Sequence, residues 1–228
     1  KDDRWIYIAD GLRVTLTVTF FSVLIGIVLG FIIALIRSTY DRTGKKIFRW
    51  DGFGDFILWF FNLICKLYLT IIRGTPVVVQ LLIIYFVIFA SVDVDKVVVA
   101  VIAFGINSAA YVAEIFRGGI MSIDNGQFEA GRSLGFNYFQ TMRYIIIPQM
   151  FKAVLPTLCN EFIALLKETS VAGYVGVIDL TKAGNIIAGR TFIYFIPLIA
   201  VALIYLVMVM ILSWLVSILE RRLRKSDR

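Results

Sequence analysis

Long apolar runs separated by short polar ones dominate the chain, and several approach or exceed the ~20 residues that cross a bilayer as helix. Residues 11–36, 97–118, 149–166 and 191–219 are such runs. The strict alternation expected of a membrane barrel is missing. The predicted fold class is therefore an all-α integral membrane protein, one domain over 1–228, with about five transmembrane helices. Along the first run Thr15, Thr19, Ser22, Gly26 and Gly30 recur at helical three- and four-residue steps. Such a stripe of small side chains predicts a close-packing face against another helix, with self-association as the alternative. Residues 170–190 carry Gly173, Gly176, Gly184 and Gly189 and are too polar in their second half for a span. They are expected near the outer face.

The stretch between the first and third runs has two apolar segments, 56–72 and 77–90, separated by Arg73-Gly74-Thr75-Pro76. If both crossed the bilayer, either the basic linker 37–55 or the later basic loops would lie outside, against the positive-inside rule. Segment 56–72 is therefore expected as an amphipathic elbow on the cytoplasmic face, with Asp55, Asn62, Lys66 and Thr70 on one stripe. Arg73 then stays cytoplasmic. The second span runs from about 76 to 90 and is short unless the elbow's last turn adds to it.

The polar interruption from Ile123 to Pro148 carries helix punctuation. Asp124 and Gln127 have capping-box spacing, and Ile123 and Phe128 sit where a hydrophobic staple would close over them. A short helix is expected to start at Asn125 and stop near Gly135, which suits a left-handed C-terminal cap. Asn137 and Gln140 repeat the capping spacing, and Pro148 is expected to limit the helix that follows. Two short helices joined at a glycine corner would make a projecting cytoplasmic knob within a loop spanning 119–148.

Glu129-Ala130-Gly131, three residues, Gly135, nine residues, Ile145, one residue and Ile147-Pro148 resembles the EAA signature of the permease subunits of ABC importers. The chain departs from it at Gly131, where Ala is usual, and at Ile147, where Leu is usual. Arg73-Gly74-Thr75-Pro76 and the run from Asn160 to Ser170 resemble the polar amino-acid branch of that family. The resemblance implies that Glu129, Ala130, Gly131, Arg132, Ser133, Leu134 and Gly135 form a coupling helix that enters a cleft on a separate ATPase. It also implies two permeases, identical or homologous, working with an ATPase dimer and an external solute-binding protein.

Composition narrows the classes. Hydrophobic residues make up 60% and charged residues 17% of the 228, far from soluble averages. The net charge of +7 comes from basic residues between and beyond the apolar runs, which sets orientation and gives no nucleic-acid face. That distribution places the N-terminus outside and the C-terminus inside, and the resemblance implies a bacterial cytoplasmic (inner) membrane, with lipid as surroundings. Histidine is absent, and Cys65 and Cys159 lie far apart inside apolar runs. Imidazole chemistry and cysteine metal spacing are thereby excluded. No Gly-x-x-x-x-Gly-Lys-Ser/Thr phosphate loop occurs, so ATP and Mg are expected on the partner ATPase and no cofactor on this chain.

Polar side chains in the middle of membrane helices face a bundle interior or a water-filled path. Asn107 and Ser108, with Tyr111 one turn on, fall midway along the third run; Asn160 and Glu161 fall midway along the fourth. A carboxylate at Glu161 suits the ammonium of an amino acid or a cationic side chain; the alternative is an internal partner for Lys167 or a helix-bundle hydrogen bond. Glu114 is expected to pair with Arg117. Asn107, Asn160 and Tyr111 are equally readable as interhelical ties or packing, and Gly105 as a helix break that frees backbone groups for a ligand. Together with the resemblance, these residues imply the membrane subunit of an ATP-driven importer of polar amino acids, basic ones or glutamine, doing no chemistry itself. The rivals are a gradient-driven amino-acid carrier or channel, which predicts inverted repeats that the chain lacks, and a membrane enzyme, for which Glu161 has no partner base.

Overall fold

The computed structural model describes residues 4–43 and 53–225, and every regular element among them is helical. The helices are α1 (Arg4–Thr43), α2 (Phe53–Gly74), α3 (Val77–Ile88, its last turn π-wound), α4 (Lys96–Ser122), α5 (Asn125–Ser133), α6 (Tyr138–Thr141), α7 (Ile147–Glu168), α8 (Leu180–Thr191) and α9 (Phe195–Lys225). Of the predicted basic linker, Lys45, Lys46 and Arg49 lie outside the described residues.

Helix α4 is the axis of the bundle. It runs 27 residues, starts at Asp95, whose carboxylate accepts from the Val97 amide, and buries Phe104, Ser108, Ala109, Val112 and Phe116. Helix α1 lies along it through the predicted small-residue stripe. Ser22 donates to the Val101 carbonyl at 3.0 Å. A Cβ at Gly26 would fall 2.8 Å from Ser108 Oγ, and one at Gly30 would fall 2.9 Å from the Ala109 carbonyl oxygen. Small residues let the backbones approach this closely, as the stripe predicts. Thr15 and Thr19, fully buried, continue the stripe outward: Thr15 Oγ1 accepts from the Leu180 amide at 3.0 Å.

Gly105 serves the same packing. Helix α4 is unbroken there, and Ile25 of α1 would lie 2.9 Å from an added Cβ. The expected break is therefore corrected: glycine is present for helix-to-helix approach, and its carbonyl stays in the helical ladder.

Helix α2 agrees with the elbow reading, its last turns adding to the short second span. Its first half is largely exposed, and contact with the bundle falls in its second half. Leu69 packs with Ala110 and Ala113 of α4 and Ile33 of α1, and the Tyr68 hydroxyl donates to the Ile106 carbonyl, midway along α4. Cys65 and Leu69 are buried there, while Trp59, Phe60, Phe61 and Leu67 stay exposed, as suits an amphipathic helix at an interface. Arg73 follows at its end, beside Glu114 and the Arg117–Asp41 pair. Helix α3 is only about 18 Å long at 1.5 Å per residue. The upper turns of α2 and the whole of α3 therefore make one crossing, broken at Gly74-Thr75-Pro76. One broken crossing preserves the sidedness that the charge pattern requires.

Helix α7 is about 33 Å long but, with Gln149, Lys152, Asn160, Glu161 and Lys167, less apolar than the other long helices. Pro148 does not end the preceding helix. A π turn over Met142–Ile146 precedes it, and Pro148 sits in the first turn of α7, where a ring is tolerated. A 3-10 segment, Thr169–Val175, leads to Gly176 at φ 80° and then to α8. With 12 residues α8 is too short to cross; it rests on α1, where Gly11 meets Leu180 and Ala183, and on Val201 of α9 through Gly184. Helix α9 completes the set of five crossings, with α1, α2/α3, α4 and α7.

Candidate transport surface and coupling knob

Ser108, buried on α4, donates to Glu161 Oε1 on α7 at 3.2 Å, so two of the predicted residues meet across a helix interface. Below them Gly119 receives Val154 and Met150. These contacts set how α4 and α7 face one another. On α4, between the α2-facing Ala110 and the α7-facing Gly119, Tyr111 and Gly118 are exposed and Glu114 is half-buried. On one side of α7, Ala153, Thr157 and Asn160 are exposed and Ala164 is half-buried. Both sets lie opposite the residues that face α1, Val112 on α4 and Phe151 on α7. They therefore open on the same side and form one continuous surface of small and polar groups.

Asn107 is placed elsewhere. It is buried, and its Nδ2 donates to Gln80 Oε1 of α3 at 2.9 Å. Gln80 Nε2 donates in turn to the Ile72 and Thr75 carbonyls at 2.7 and 3.0 Å and to Thr75 Oγ1 at 2.8 Å. A helix broken at mid-depth strands backbone carbonyls, and this amide satisfies them. Asn107 thus acts as an interhelical tie. Asn160, by contrast, is exposed beside Glu161.

Glu114 pairs with Arg117 as the spacing predicts: its Oε2 accepts from Nη2 at 2.9 Å and from Nε at 3.2 Å. Arg73 approaches the other oxygen at 3.8 Å and sits 6.0 Å over the Tyr111 ring. Arg117 also lies 3.6 Å from Asp41 near the end of α1. Gln80 and Asp41 are neighbours that sequence reasoning did not single out, and Arg73 entered it only as part of the Arg73-Gly74-Thr75-Pro76 motif, with no site role. The one available signal was Gln80, a lone polar residue inside an apolar run.

The knob is built close to its punctuation. Asp124 accepts from the Gly126 amide at 2.6 Å and starts α5. Gln127 does not close the expected capping box; its Oε1 accepts instead from Gln149 Nε2 at 3.1 Å, because α7 lies within reach. Asn137 and Gln140 do form the reciprocal box, with both bonds at 2.9 Å. Gly135, at φ 79°, ends α5 with Phe136 N donating to the Gly131 carbonyl and Gly135 N to the Arg132 carbonyl, the paired bonds of a left-handed glycine cap. The departure at Gly131 has a steric reason here: a Cβ would fall 2.7 Å from Thr141 Oγ1.

Phe128 anchors the knob. It is buried with Phe116, Ile120, Met142 and Ile146, and the Arg42 guanidinium of α1 lies 3.5 Å over its ring. Tyr138 Oη and Thr39 Oγ1 are 3.3 Å apart. Glu129, Ala130, Arg132, Ser133 and Leu134 are exposed, as is Phe139. The knob therefore presents a mixed apolar and charged tip while its base is clamped to α1, α4 and α7.

Known proteins share this architecture. The chain is 36% identical to the arginine transport system permease protein ArtQ of Bacillus subtilis (strain 168), over 97% of this chain and 94% of that one. It is 34% identical to the glutamine transport system permease protein GlnP of Escherichia coli (strain K12), covering 94% and 92%. Among solved structures it resembles an amino acid ABC transporter crystallised with histidines, at TM-score 0.80, 41% identity and 95% and 94% coverage. The MetNI methionine ABC transporter shares the fold at TM-score 0.77 over both full chains, with 17% identity. Residues 26–225 match the family of binding-protein-dependent transport system inner membrane components. The chain belongs to that family, the ABC importer permeases whose signature the knob carries.

Proposed function

We infer that this chain is the membrane-spanning subunit of an ATP-driven importer of polar amino acids, either basic ones or glutamine. The observation that carries the reading is the polar surface shared by α4 and α7, where Tyr111, Thr157 and Asn160 are exposed and Glu114 is half-buried in an otherwise apolar bundle. Such groups are costly against lipid. A second permease facing this surface would enclose it as a path, and relatives named for arginine and glutamine transport support the substrate class.

The exposed knob supplies the other half. With Phe128 and Arg42 clamping its base to α1, movement of an ATPase dimer against Leu134 and Phe139 would turn the helix ends together. ATP and Mg belong to that partner. An external binding protein would deliver substrate at the face where α8 and the α3–α4 turn lie, and the basic C-terminal end of α9 would face the cytoplasm.

Uptake of radiolabelled amino acids into proteoliposomes containing the chain and its co-purifying ATPase, with ATP inside, tests the reading. ATP-dependent accumulation supports it. Uptake that needs an ion gradient and no ATP would favour the carrier alternative.

A further inference from the structure

We propose that Arg73 is the group on this surface that binds the carboxylate of the transported amino acid. The inference rests on the importer reading above and deepens it. An amino acid presents a carboxylate as well as an ammonium, and Glu161 can serve only the cation. A partner for the anion must be cationic or a strong donor, and must reach the same surface.

Arg73 meets these conditions. The broken crossing ends α2 beside Tyr111 and Glu114, so the guanidinium reaches the uncovered face of α4. An arginine among membrane helices is expensive unless paired. Its pairing is loose: Glu114 stands at 3.8 Å and the Arg73 side chain remains 46% exposed. Glu114 already gives its other oxygen to Arg117 at 2.9 Å. Arg117 is held on two sides, by Glu114 and by Asp41 at 3.6 Å, and is the less exposed of the two arginines.

A planar guanidinium offers a carboxylate two parallel donors. Tyr111 supplies a ring under it, 6.0 Å from the guanidinium carbon. When a substrate carboxylate arrives, Arg73 exchanges a distant ion pair for a bidentate one, and Glu114 keeps Arg117. Glu161, tied to Ser108 just one helical turn along α4 from Tyr111, stands ready for the cationic end. Arg73 and Glu161 thereby select a zwitterion from opposite ends.

The test uses the permease–ATPase complex in detergent, without binding protein, so that only the membrane site selects. The probe is whichever of radiolabelled L-arginine and L-glutamine the wild-type proteoliposomes accumulate with ATP. It is competed by the same unlabelled amino acid and by its α-amide, which lacks the carboxylate. Wild type should prefer the free acid by about tenfold or more, the scale of one charge-assisted contact. In Arg73→Gln that preference should collapse to about twofold, with Arg73→Lys in between because it keeps the charge without the fork. Glu114→Gln removes the competing carboxylate and should strengthen the preference, an arm that holds even if Arg73→Gln fails to assemble. A full preference in Arg73→Gln, or none in wild type, overturns the proposal. Failure of wild type to accumulate either amino acid with ATP would instead count against the importer reading.

Discussion

The Asn107 amide donates to Gln80 at 2.9 Å, and Gln80 donates onward to the carbonyls of Ile72, before the Gly74-Thr75-Pro76 break, and of Thr75 within it. Two buried amides therefore hold an interrupted crossing against the central helix. Gln80→Leu keeps the bulk but strands those carbonyls and the Asn107 amide. Each unsatisfied buried group costs about 1–3 kcal/mol. The variant should melt at a clearly lower temperature in detergent than wild type, and an unchanged melting curve would show that the break is held by packing alone.

Gly135 turns the knob at φ 79° with nothing within 4 Å of an added Cβ. Space is therefore not the constraint; backbone conformation is. Asn tolerates the left-handed region and Val does not, at about 1–2 kcal/mol per residue. Gly135→Asn should transport close to wild type, whereas Gly135→Val should assemble yet lose uptake while its ATPase still turns over. Normal uptake by an assembled Gly135→Val complex would remove the corner from the coupling path.

Glu161→Gln retains an acceptor for the Ser108 hydroxyl, now 3.2 Å from the carboxylate oxygen, and removes only the charge. If the carboxylate contacts a cationic group, probe affinity should fall by about tenfold with little change in melting temperature. Equal affinity with equal stability would return Glu161 to packing.

Gly30 is the tightest point of the α1–α4 contact, where a Cβ would meet Val112 at 2.8 Å and the Ala109 carbonyl at 2.9 Å. Backbone cannot move aside as a flexible side chain can. Gly30→Val should destabilise by about 1–3 kcal/mol, the usual range for overpacking, or prevent assembly. Gly54, with open space around it, should accept Ala with no loss. Equal melting temperatures for the two variants would contradict the packing described here.

Local chemistry was enough for much of this protein. Apolar run length gave the crossings because a bilayer demands about 20 residues of helix. The stripe Thr15, Thr19, Ser22, Gly26, Gly30 gave the α1–α4 contact because helices meet closely only through small side chains. The Asn137–Gln140 box and the Gly135 corner were legible because capping depends on neighbours in sequence. Other features depended on partners far along the chain. Charge rules gave the α2 elbow, but they count residues and could not supply the Leu69–Ala110 and Tyr68–Ile106 contacts that fix its last turns against α4. Gln127 left its local cap for Gln149, Gly105 was a packing surface for Ile25 where a break was expected, and Arg73 came to rest over Tyr111. Each of these outcomes is a competition between a local interaction and a distant one, and only the packed bundle brings the distant competitor within reach.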